Sequence, residues 1–319
     1  MERVTPVSAV IETFNLSKVY EAALRGQDVH ALKKLNLTVY SGEIFGYLGP
    51  NGSGKTTTIK LLLGLIFPTE GSIKILGSTD IGSAAVRRQI GYVPEGAYYP
   101  DFLQGEEVLR FYGHLYGLGG ADLKRRIDHV LETVGMTRTR KRLVRGYSKG
   151  MRQRIGLAQA LLSDPEILIL DEPTTGLDPI ARKEIRDILA GLRDAGKSLL
   201  ISSHELLEVE LISDRVGILS EGVLQTAGTI DELLTNRDVI LRVANVSPET
   251  FDKLVAAGIE IEDRTEGEAA LRVPDNVSVY NALDICRTAN VTLMSVAPRR
   301  ETLEELFVRV VGAAQKGDA

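Results

Sequence analysis

The octapeptide Gly49-Pro50-Asn51-Gly52-Ser53-Gly54-Lys55-Thr56 fits the pattern G-x-x-x-x-G-K-[ST] of a phosphate-binding loop. The apolar run 44–48 predicts a strand before it, and Ile59, Leu62, Leu63 and Ile66 recur at helical spacing after it. Glycines let successive backbone N–H groups turn toward one phosphate, and the positive end of the following helix points the same way. The flanking strand and helix separate this loop from a glycine-rich turn that fits by chance. The loop therefore predicts the binding of a nucleoside triphosphate.

Length, composition and charge narrow the class of protein. The 319 residues, 44% of them hydrophobic, suffice for two domains with a core in each. A net charge of −5 argues against a protein that coats nucleic acid, since phosphate-backbone binding needs a basic surface. The single cysteine, Cys286, cannot form an intrachain disulfide, which fits a reducing compartment, and its apolar helical setting predicts a buried, inert thiol.

No run reaches the roughly 18 consecutive apolar residues of a membrane span. The N-terminus also lacks a basic stretch followed by an apolar one, so no signal peptide is expected. The sequence therefore predicts a cytoplasmic protein, for which any membrane function requires a separate partner.

The spacing of apolar residues predicts an α/β body in residues 1–230. Alternation from residue 10 to about 40 indicates antiparallel strands, and the runs 72–76, 90–93, 167–170 and 198–202 predict further, largely parallel strands. Between them, helical spacing over about 96–162 predicts an inserted helical subdomain, including a helix that begins after Ser148 and runs to about Leu162.

Residues 231–319 have a different pattern. Apolar residues recur there with alternating strand and helix periods in the order β-α-β-β-α-β, followed by a final helix from Leu303 to Val310. A small ferredoxin-like α+β module is one arrangement with this order. We therefore predict a separate C-terminal accessory domain.

Two adjacent acids follow the apolar strand 167–170. A carboxylate at the carboxyl end of a parallel strand lies beside the phosphate loop, so Asp171 is the candidate ligand for Mg²⁺ together with the Thr56 hydroxyl. Glu172, one residue further, is the candidate general base for an attacking water, and Lys55 supplies a positive charge to the outer phosphates.

With these motifs in place, the chain resembles the nucleotide-binding subunit of an ATP-binding cassette (ABC) transporter. The family's second mark is a signature that opens a helix shortly before the acidic strand, and Tyr147-Ser148-Lys149-Gly150-Met151 stands at that position. Ser148 is also a good N-cap, behind which free N–H groups face outward. The resemblance implies that Ser148, Lys149 and Gly150 contact ATP bound to an opposing cassette, so that two cassettes enclose two ATP molecules head to tail.

Further motifs match residue by residue. Asp178, which ends Pro-Thr-Thr-Gly-Leu-Asp, resembles the aspartate that contacts the partner cassette, and His204 resembles the switch histidine that touches the γ-phosphate. Tyr20 stands where the family has an aromatic residue that stacks on adenine, although a packing tyrosine fits that position equally well. Thr57, after the loop, joins the candidate nucleotide-binding residues.

Two departures from the family pattern stand out. Glu95 replaces the usual glutamine that senses Mg²⁺ and the attacking water, which keeps an oxygen ligand but adds a negative charge. In the signature, Lys149 replaces a glycine and either strengthens the contact with phosphate or faces solvent. Both features resemble an exporter-type branch with a small C-terminal domain.

The resemblance implies an α/β fold: a P-loop NTPase of the ABC cassette type, with an antiparallel β subdomain, an inserted helical subdomain and a small α+β C-terminal domain. It also implies an ATPase that uses ATP and Mg²⁺, dimerises with a second cassette in a homodimer, and energises export through a separate multispanning membrane permease. Such a subunit lies at the inner face of the cell membrane.

Two alternatives remain open on the sequence. A soluble ABC ATPase acting on nucleic acid or ribosomes usually has two cassettes or long coiled coils, whereas this chain has one phosphate loop and no sustained heptads. A regulatory module that holds ATP without hydrolysing it is the second alternative. Glu172 and His204 argue against it, whereas the replacement of the usual glutamine by Glu95 is compatible with it.

Overall fold

The protein is described by a computed structural model, which covers residues 8–21, 27–96, 98–265 and 267–317. Close contacts divide the chain into two units, Met1–Ile230 with Phe307–Ala319, and Asp231–Leu306. Within the described residues, no helix combines the length and the apolar character that crossing a membrane requires.

The described part of the first unit contains ten strands, seven α-helices between them and most of the last helix of the chain, Leu303–Gly317. The strands are β1 (Ala9–Tyr20), β2 (Val29–Leu35), β3 (Thr38–Tyr40), β4 (Ile44–Leu48), β5 (Glu70–Ile75), β6 (Ile90–Val93), β7 (Ile167–Asp171), β8 (Ser198–Ser203), β9 (Arg215–Ser220) and β10 (Val223–Thr229). The helices are α1 (Lys55–Leu62), α2 (Ala84–Arg88), α3 (Gly105–Leu115), α4 (Gly120–Thr133), α5 (Lys149–Ala160), α6 (Pro179–Asp194) and α7 (Leu206–Glu210).

The central sheet has the strand order β10-β9-β4-β8-β7-β6. Its pairs are parallel except β9 with β10, which is antiparallel. Strands β4 and β7 are buried along their whole length because helices cover one face, while α1 and the antiparallel sheet that contains β1 cover the other, which explains their unbroken apolar runs. The predicted largely parallel sheet is thus confirmed, and β4, β7 and β8 end at the same edge.

A second sheet is antiparallel. Strand β1 pairs with β2, β3 and β5, which gives the antiparallel β subdomain expected from the alternation near the N-terminus. Leu16, Leu35 and Ile75 from this sheet join Phe45 and Ile169 of the central sheet in one buried cluster. Packing between the two sheets therefore fixes β2 beside the phosphate loop.

Helices α3, α4 and α5 form the helical subdomain between β6 and β7. Val108, Leu109, Ile127 and Leu131 line its interior, in agreement with the 3.6-residue period of the sequence. Helix α5 begins after Ser148, as predicted, and ends at Ala160.

Helix α1 is shorter than its sequence pattern suggests. It ends at Leu62, so Leu63 and Ile66 of the predicted helical face lie beyond it. Gly64 has φ +64°, a left-handed conformation that stops the helix, while Ile66 still packs against the core from the following turn. The extension of the helix to Ile66 was therefore wrong, because an apolar contact can persist after the helical hydrogen bonds end.

The second unit contains the elements that follow β10. These are α8 (Ile230–Leu234) at the junction, β11 (Thr235–Ala244), α9 (Pro248–Ala256), β12 (Glu260–Arg264), β13 (Glu268–Val273), α10 (Val279–Thr288), β14 (Thr292–Arg300) and the first turn of α11 (Leu303–Gly317). Its antiparallel sheet has the order β12-β13-β11-β14. Leu241, Leu271, Leu254 and Cys286 form a core between this sheet and helices α9 and α10.

Candidate functional site

The phosphate loop connects β4 to α1 and is shaped by two glycines with positive φ. Gly52 has φ +81° and Gly54, the N-cap of α1, has φ +111°. A Cβ atom at Gly54 would lie 2.5 Å from the carbonyl oxygen of Ala31 and 2.9 Å from Leu32 Cδ2, whereas one at Gly52 would meet nothing within 4 Å. Gly54 is therefore required both by its backbone conformation and by the closeness of β2.

The loop forms one wall of a cleft of about 310 Å³. Tyr20, with 40% of its surface exposed, lies at the cleft together with Val29 and Ala31 of β2. The remaining lining residues are Pro50, Asn51, Gly52, Ser53, Gly54, Lys55, Thr56, Thr57, Glu95, Asp171 and Glu172. The cleft thus has an aromatic and apolar side and a side rich in backbone N–H groups and carboxylates.

Lys55 is buried at the base of the cleft. Its Nζ donates hydrogen bonds to the carbonyl oxygens of Gly49, at 2.5 Å, and Pro50, at 3.2 Å. Burial lowers the pKa of Lys55, and the carboxylates of Glu172, Asp171 and Glu95 oppose that shift. The charged ammonium group is thus held among acids, where it can also meet a polyanionic ligand.

Asp171 ends strand β7 and is buried, with 7% of its surface exposed. Its register partner on β8 is Ser202, whose Oγ donates to Asp171 Oδ1 at 2.5 Å. This bond fixes one carboxylate oxygen toward the sheet, so the orientation of Asp171 depends on a residue of the neighbouring strand.

Glu172 follows β7 in a left-handed conformation, with φ +50°, and is 9% exposed. Three donors converge on its Oε2: His204 Nδ1 at 2.8 Å, the backbone N–H of His204 at 3.3 Å, and Thr175 Oγ1 at 3.0 Å. The Glu172 carboxylate is therefore held at the edge of the cleft by residues that follow β7 and β8.

A second cleft of about 450 Å³ shares Glu95 and Glu172 with the first. Its other lining residues are Gly96, Tyr98, Tyr147, Lys149, Arg152, Gln153 and Thr175. Lys149 extends over Gly176 of its own chain, since its ammonium group occupies the space where a Cβ of Gly176 would stand. The sequence predicted that Lys149 either contacts phosphate or faces solvent, and neither prediction included this contact with Gly176.

The signature residues adopt the expected helix start. Ser148 caps α5, because its Oγ accepts a hydrogen bond from the backbone N–H of Met151 at 3.2 Å. Gly150 is buried against Ala181 of α6, where a Cβ would approach the alanine side chain at 2.9 Å. Asp178 caps α6 by accepting from the N–H of Ala181 at 2.9 Å.

Taken together, the structure brings most of the predicted residues to one edge of the central sheet. Lys55, Thr56, Glu95, Asp171 and Glu172 line the phosphate-loop cleft, and His204 joins them through Glu172. The signature residues and Asp178 do not line this cleft, whereas Tyr147 and Lys149 line the second one. Sequence reasoning missed Ser202 and Thr175, although aligning the ends of β7 and β8 would have indicated Ser202.

The residues present fit a nucleotide and a hard cation. Ser53 Oγ is buried and has no hydrogen-bond partner among the described residues, so the loop has an unsatisfied polar group that a phosphate oxygen can satisfy. Thr56, Asp171 and Glu95 offer the oxygen atoms that Mg²⁺ prefers. In the described part of the chain no three His, Cys, Asp or Glu side chains form a metal cage, and Mg²⁺ bound with phosphates needs only one or two carboxylates.

Comparisons with known proteins point to one family. The family model for ABC transporters matches residues 32–175. An uncharacterised ABC transporter ATP-binding protein of Synechocystis is 38% identical over 97% of this chain and 86% of its own length. The bacitracin transport ATP-binding protein of Bacillus licheniformis is 35% identical over 98% of this chain and its whole length. Among solved structures, an ATP-binding cassette captured as a dimer after hydrolysis, with ADP and Pi, is 26% identical, covers 69% of this chain and 98% of its own, and has a TM-score of 0.62.

Proposed function

This chain belongs to the ABC transporter family as an ATP-binding, ATP-hydrolysing subunit, and on that premise we propose which residues perform hydrolysis and what the subunit drives. The alternative activities on nucleic acid or ribosomes have no support among these relatives. Hydrolysis is assigned to the phosphate-loop cleft, and the driven process is assigned to export through a separate membrane-spanning permease.

The observation that carries the residue assignment is the convergence of Lys55, Asp171 and Glu172 on one cleft. The phosphate loop binds the phosphates through its N–H groups, and Lys55 neutralises charge that develops on the outer phosphate. Thr56 and Asp171, with Glu95 nearby, would hold Mg²⁺, which would supply electrophilic stabilisation of the phosphate oxygens. Tyr20 offers its ring at the mouth of the cleft, next to Val29, where a purine base can stack.

Glu172 is the residue to which we assign activation of the attacking water. Its carboxylate is fixed through Oε2 by His204 and Thr175, which leaves Oε1 without a hydrogen-bond donor among the described residues. An oxygen that is oriented but not occupied can accept a proton from water, which is the requirement for a general base. His204 is then placed to report the state of the phosphate to Glu172.

Two copies complete the site in this proposal. Helix α5 begins with Ser148 as its cap, and Ser148 and Lys149 are exposed, so that an anion bound by a second copy can approach the start of the helix. Asp178 lies at the same surface, at the start of α6. The relative solved as a dimer supports pairing of two cassettes, and a permease binding the helical subdomain would place the subunit at the inner membrane face.

The test of the residue assignment is Glu172→Gln, with Glu166→Gln as the matched control. Glu166 is an exposed glutamate directly before the same strand, outside the cleft. We expect Glu172→Gln to lower kcat about 10² to 10⁴-fold while ATP binding is retained, since a general base contributes about that factor. With ATP the variant should accumulate as a dimer in sedimentation, because the bound state is no longer emptied by hydrolysis.

The control variant should hydrolyse ATP like the parent and dissociate normally. Equal turnover by Glu172→Gln and the parent would refute the assignment to Glu172. Export is tested separately, by purifying the chain with the product of a neighbouring gene that encodes a multispanning protein and measuring ATPase activity with and without it. The transport proposal would be contradicted if no such partner bound the chain, or if a bound partner left its ATPase activity unchanged.

A further inference from the structure

Thr175 lies three residues after Glu172, in the loop that joins β7 to α6. We propose that Thr175 is a positioning residue for ATP hydrolysis, whose hydroxyl holds Glu172 Oε2 so that Oε1 faces the attacking water. This inference rests on the proposed role of Glu172 and concerns how that carboxylate is aimed.

Two hydrogen bonds join the same two residues. The backbone N–H of Thr175 donates to the carbonyl oxygen of Glu172 at 3.3 Å, and Thr175 Oγ1 donates to Glu172 Oε2 at 3.0 Å. The first bond closes a turn and the second fixes the side chain that projects from it. Rotation of the Glu172 carboxylate would therefore break a bond whose donor is itself anchored by the turn.

The loop holds Thr175 firmly on its other side. Pro173 and Thr174 are buried, and Leu177 N–H donates to the carbonyl oxygen of Thr174 at 3.2 Å. Gly176 has φ +67°, which lets the chain turn directly after Thr175 and enter α6 at the Asp178 cap. The hydroxyl is therefore presented from a constrained backbone, as precise orientation of a reacting group requires.

The other two donors to Glu172 Oε2 are the side chain and the backbone N–H of His204, and neither holds the carboxylate as Thr175 does. The His204 side chain is 51% exposed, so its position depends on surroundings that solvent and ligands can change. The His204 backbone N–H, at 3.3 Å, is the longest of the three contacts. Thr175 thus supplies the side-chain hydroxyl that stays with Glu172 when His204 moves.

All three contacts converge on one oxygen. Within the described residues, no donor contacts Glu172 Oε1, and both Glu172 and Thr175 line the second cleft beside the phosphate loop. A carboxylate bonded on one oxygen has one orientation, with the second oxygen free for a water molecule in the cleft. Removing the Thr175 donor should lower the fraction of molecules in that orientation without changing the nucleotide contacts.

The experiment compares Thr175→Val, which has the same shape without the hydroxyl, with Thr175→Ser, which keeps the hydroxyl. We expect Thr175→Val to lower kcat about 10-fold with KM for ATP within about twofold, because a hydrogen bond to a charged group is lost from a group that acts during chemistry. Thr175→Ser should stay within about threefold of the parent. Thr139→Val is the matched control, since it removes a half-buried hydroxyl bonded three residues back, to Met136, away from the cleft.

Single-turnover rates in the Glu172→Gln background separate positioning from general loop damage. If Thr175 acts through Glu172, Thr175→Val added to Glu172→Gln should change the residual rate by less than about twofold. The same roughly 10-fold loss in that background, an equal loss in Thr175→Ser, or full activity in Thr175→Val would each overturn the inference. Thr175→Ala provides the same test if the valine variant unfolds, as judged by its thermal midpoint.

These outcomes are distinct from failure of the proposed function. If Glu172→Gln alone leaves turnover unchanged, Glu172 is not the base and the proposed function fails first. If Glu172→Gln abolishes turnover but Thr175→Val does not, the role of Glu172 stands and only the inference about Thr175 falls.

Discussion

The two glycines of the phosphate loop should respond differently to the same substitution. Gly52 and Gly54 both have positive φ, +81° and +111°, so alanine at either position costs about 1–2 kcal/mol in backbone strain. At Gly54 the added Cβ would also stand 2.5 Å from the Ala31 carbonyl oxygen and 2.9 Å from Leu32 Cδ2. Overpacking of that kind adds about 1–3 kcal/mol, because a backbone carbonyl in a paired strand cannot move away freely.

We therefore expect Gly54→Ala to lower the free energy of unfolding by about 2–5 kcal/mol and Gly52→Ala by about 1–2 kcal/mol. The open space at Gly52 faces the cleft, so alanine there should weaken ATP binding while the fold stays largely intact. The measurements are urea unfolding without nucleotide, and titration with a fluorescent ATP analogue for both variants. Equal destabilisation by the two substitutions, or unchanged binding in Gly52→Ala, would refute the reasoning from Cβ contacts.

Two further predictions concern the second unit. Cys286 is 2% exposed and burial raises the pKa of its thiol, so a thiol reagent should react with the folded chain far more slowly than with the urea-unfolded chain; rapid reaction in the native state would contradict its burial. Asp238 is 5% exposed, and burial alone would raise the pKa of its carboxyl. Hydrogen bonds from Arg272 and from the Asp275 N–H, together with the nearby arginine charges, instead lower that pKa below its usual value. A lowered folded-state pKa means that this stabilisation is complete above the unfolded-state value and is lost as pH falls through the folded-state value. Asp238→Asn should therefore cost about 1–3 kcal/mol at pH 7 and lose less stability than the parent as pH falls below about 4, as followed by urea unfolding at each pH; identical acid dependence in both proteins would refute the role of the pair.

The sequence was most informative where burial and periodicity act together. The apolar runs predicted β4, β7 and β8 because strands covered on both faces contain few polar residues. Helices α2 and α7, each of five residues, could not be predicted in this way, since a single turn has no apolar period. Strand β10 was also missed because its exposed and half-buried residues alternate without an apolar run.

At the site, the motif residues were predictable because each occupies a fixed place relative to a strand end or helix start. Ser202 and Thr175 were not, since their roles depend on strand register and on a turn that the residue types alone do not specify. The contact of Lys149 with Gly176 likewise depends on how α5 packs beside the loop before α6, which no local pattern encodes.

The left-handed backbone at Glu172 has a consequence for the two neighbouring acids. In a continuous strand, side chains of adjacent residues point to opposite faces of the sheet, but the positive φ interrupts that alternation and lets both carboxylates line one cleft. Asp171 still belongs to the strand, and its loss leaves the buried Ser202 hydroxyl without that partner. Glu172 belongs to the turn, where glycine would remove conformational strain. The left-handed backbone therefore lets one strand end present two carboxylates to the same cleft, at a cost in backbone strain of about 1–2 kcal/mol that the three hydrogen bonds to Glu172 offset.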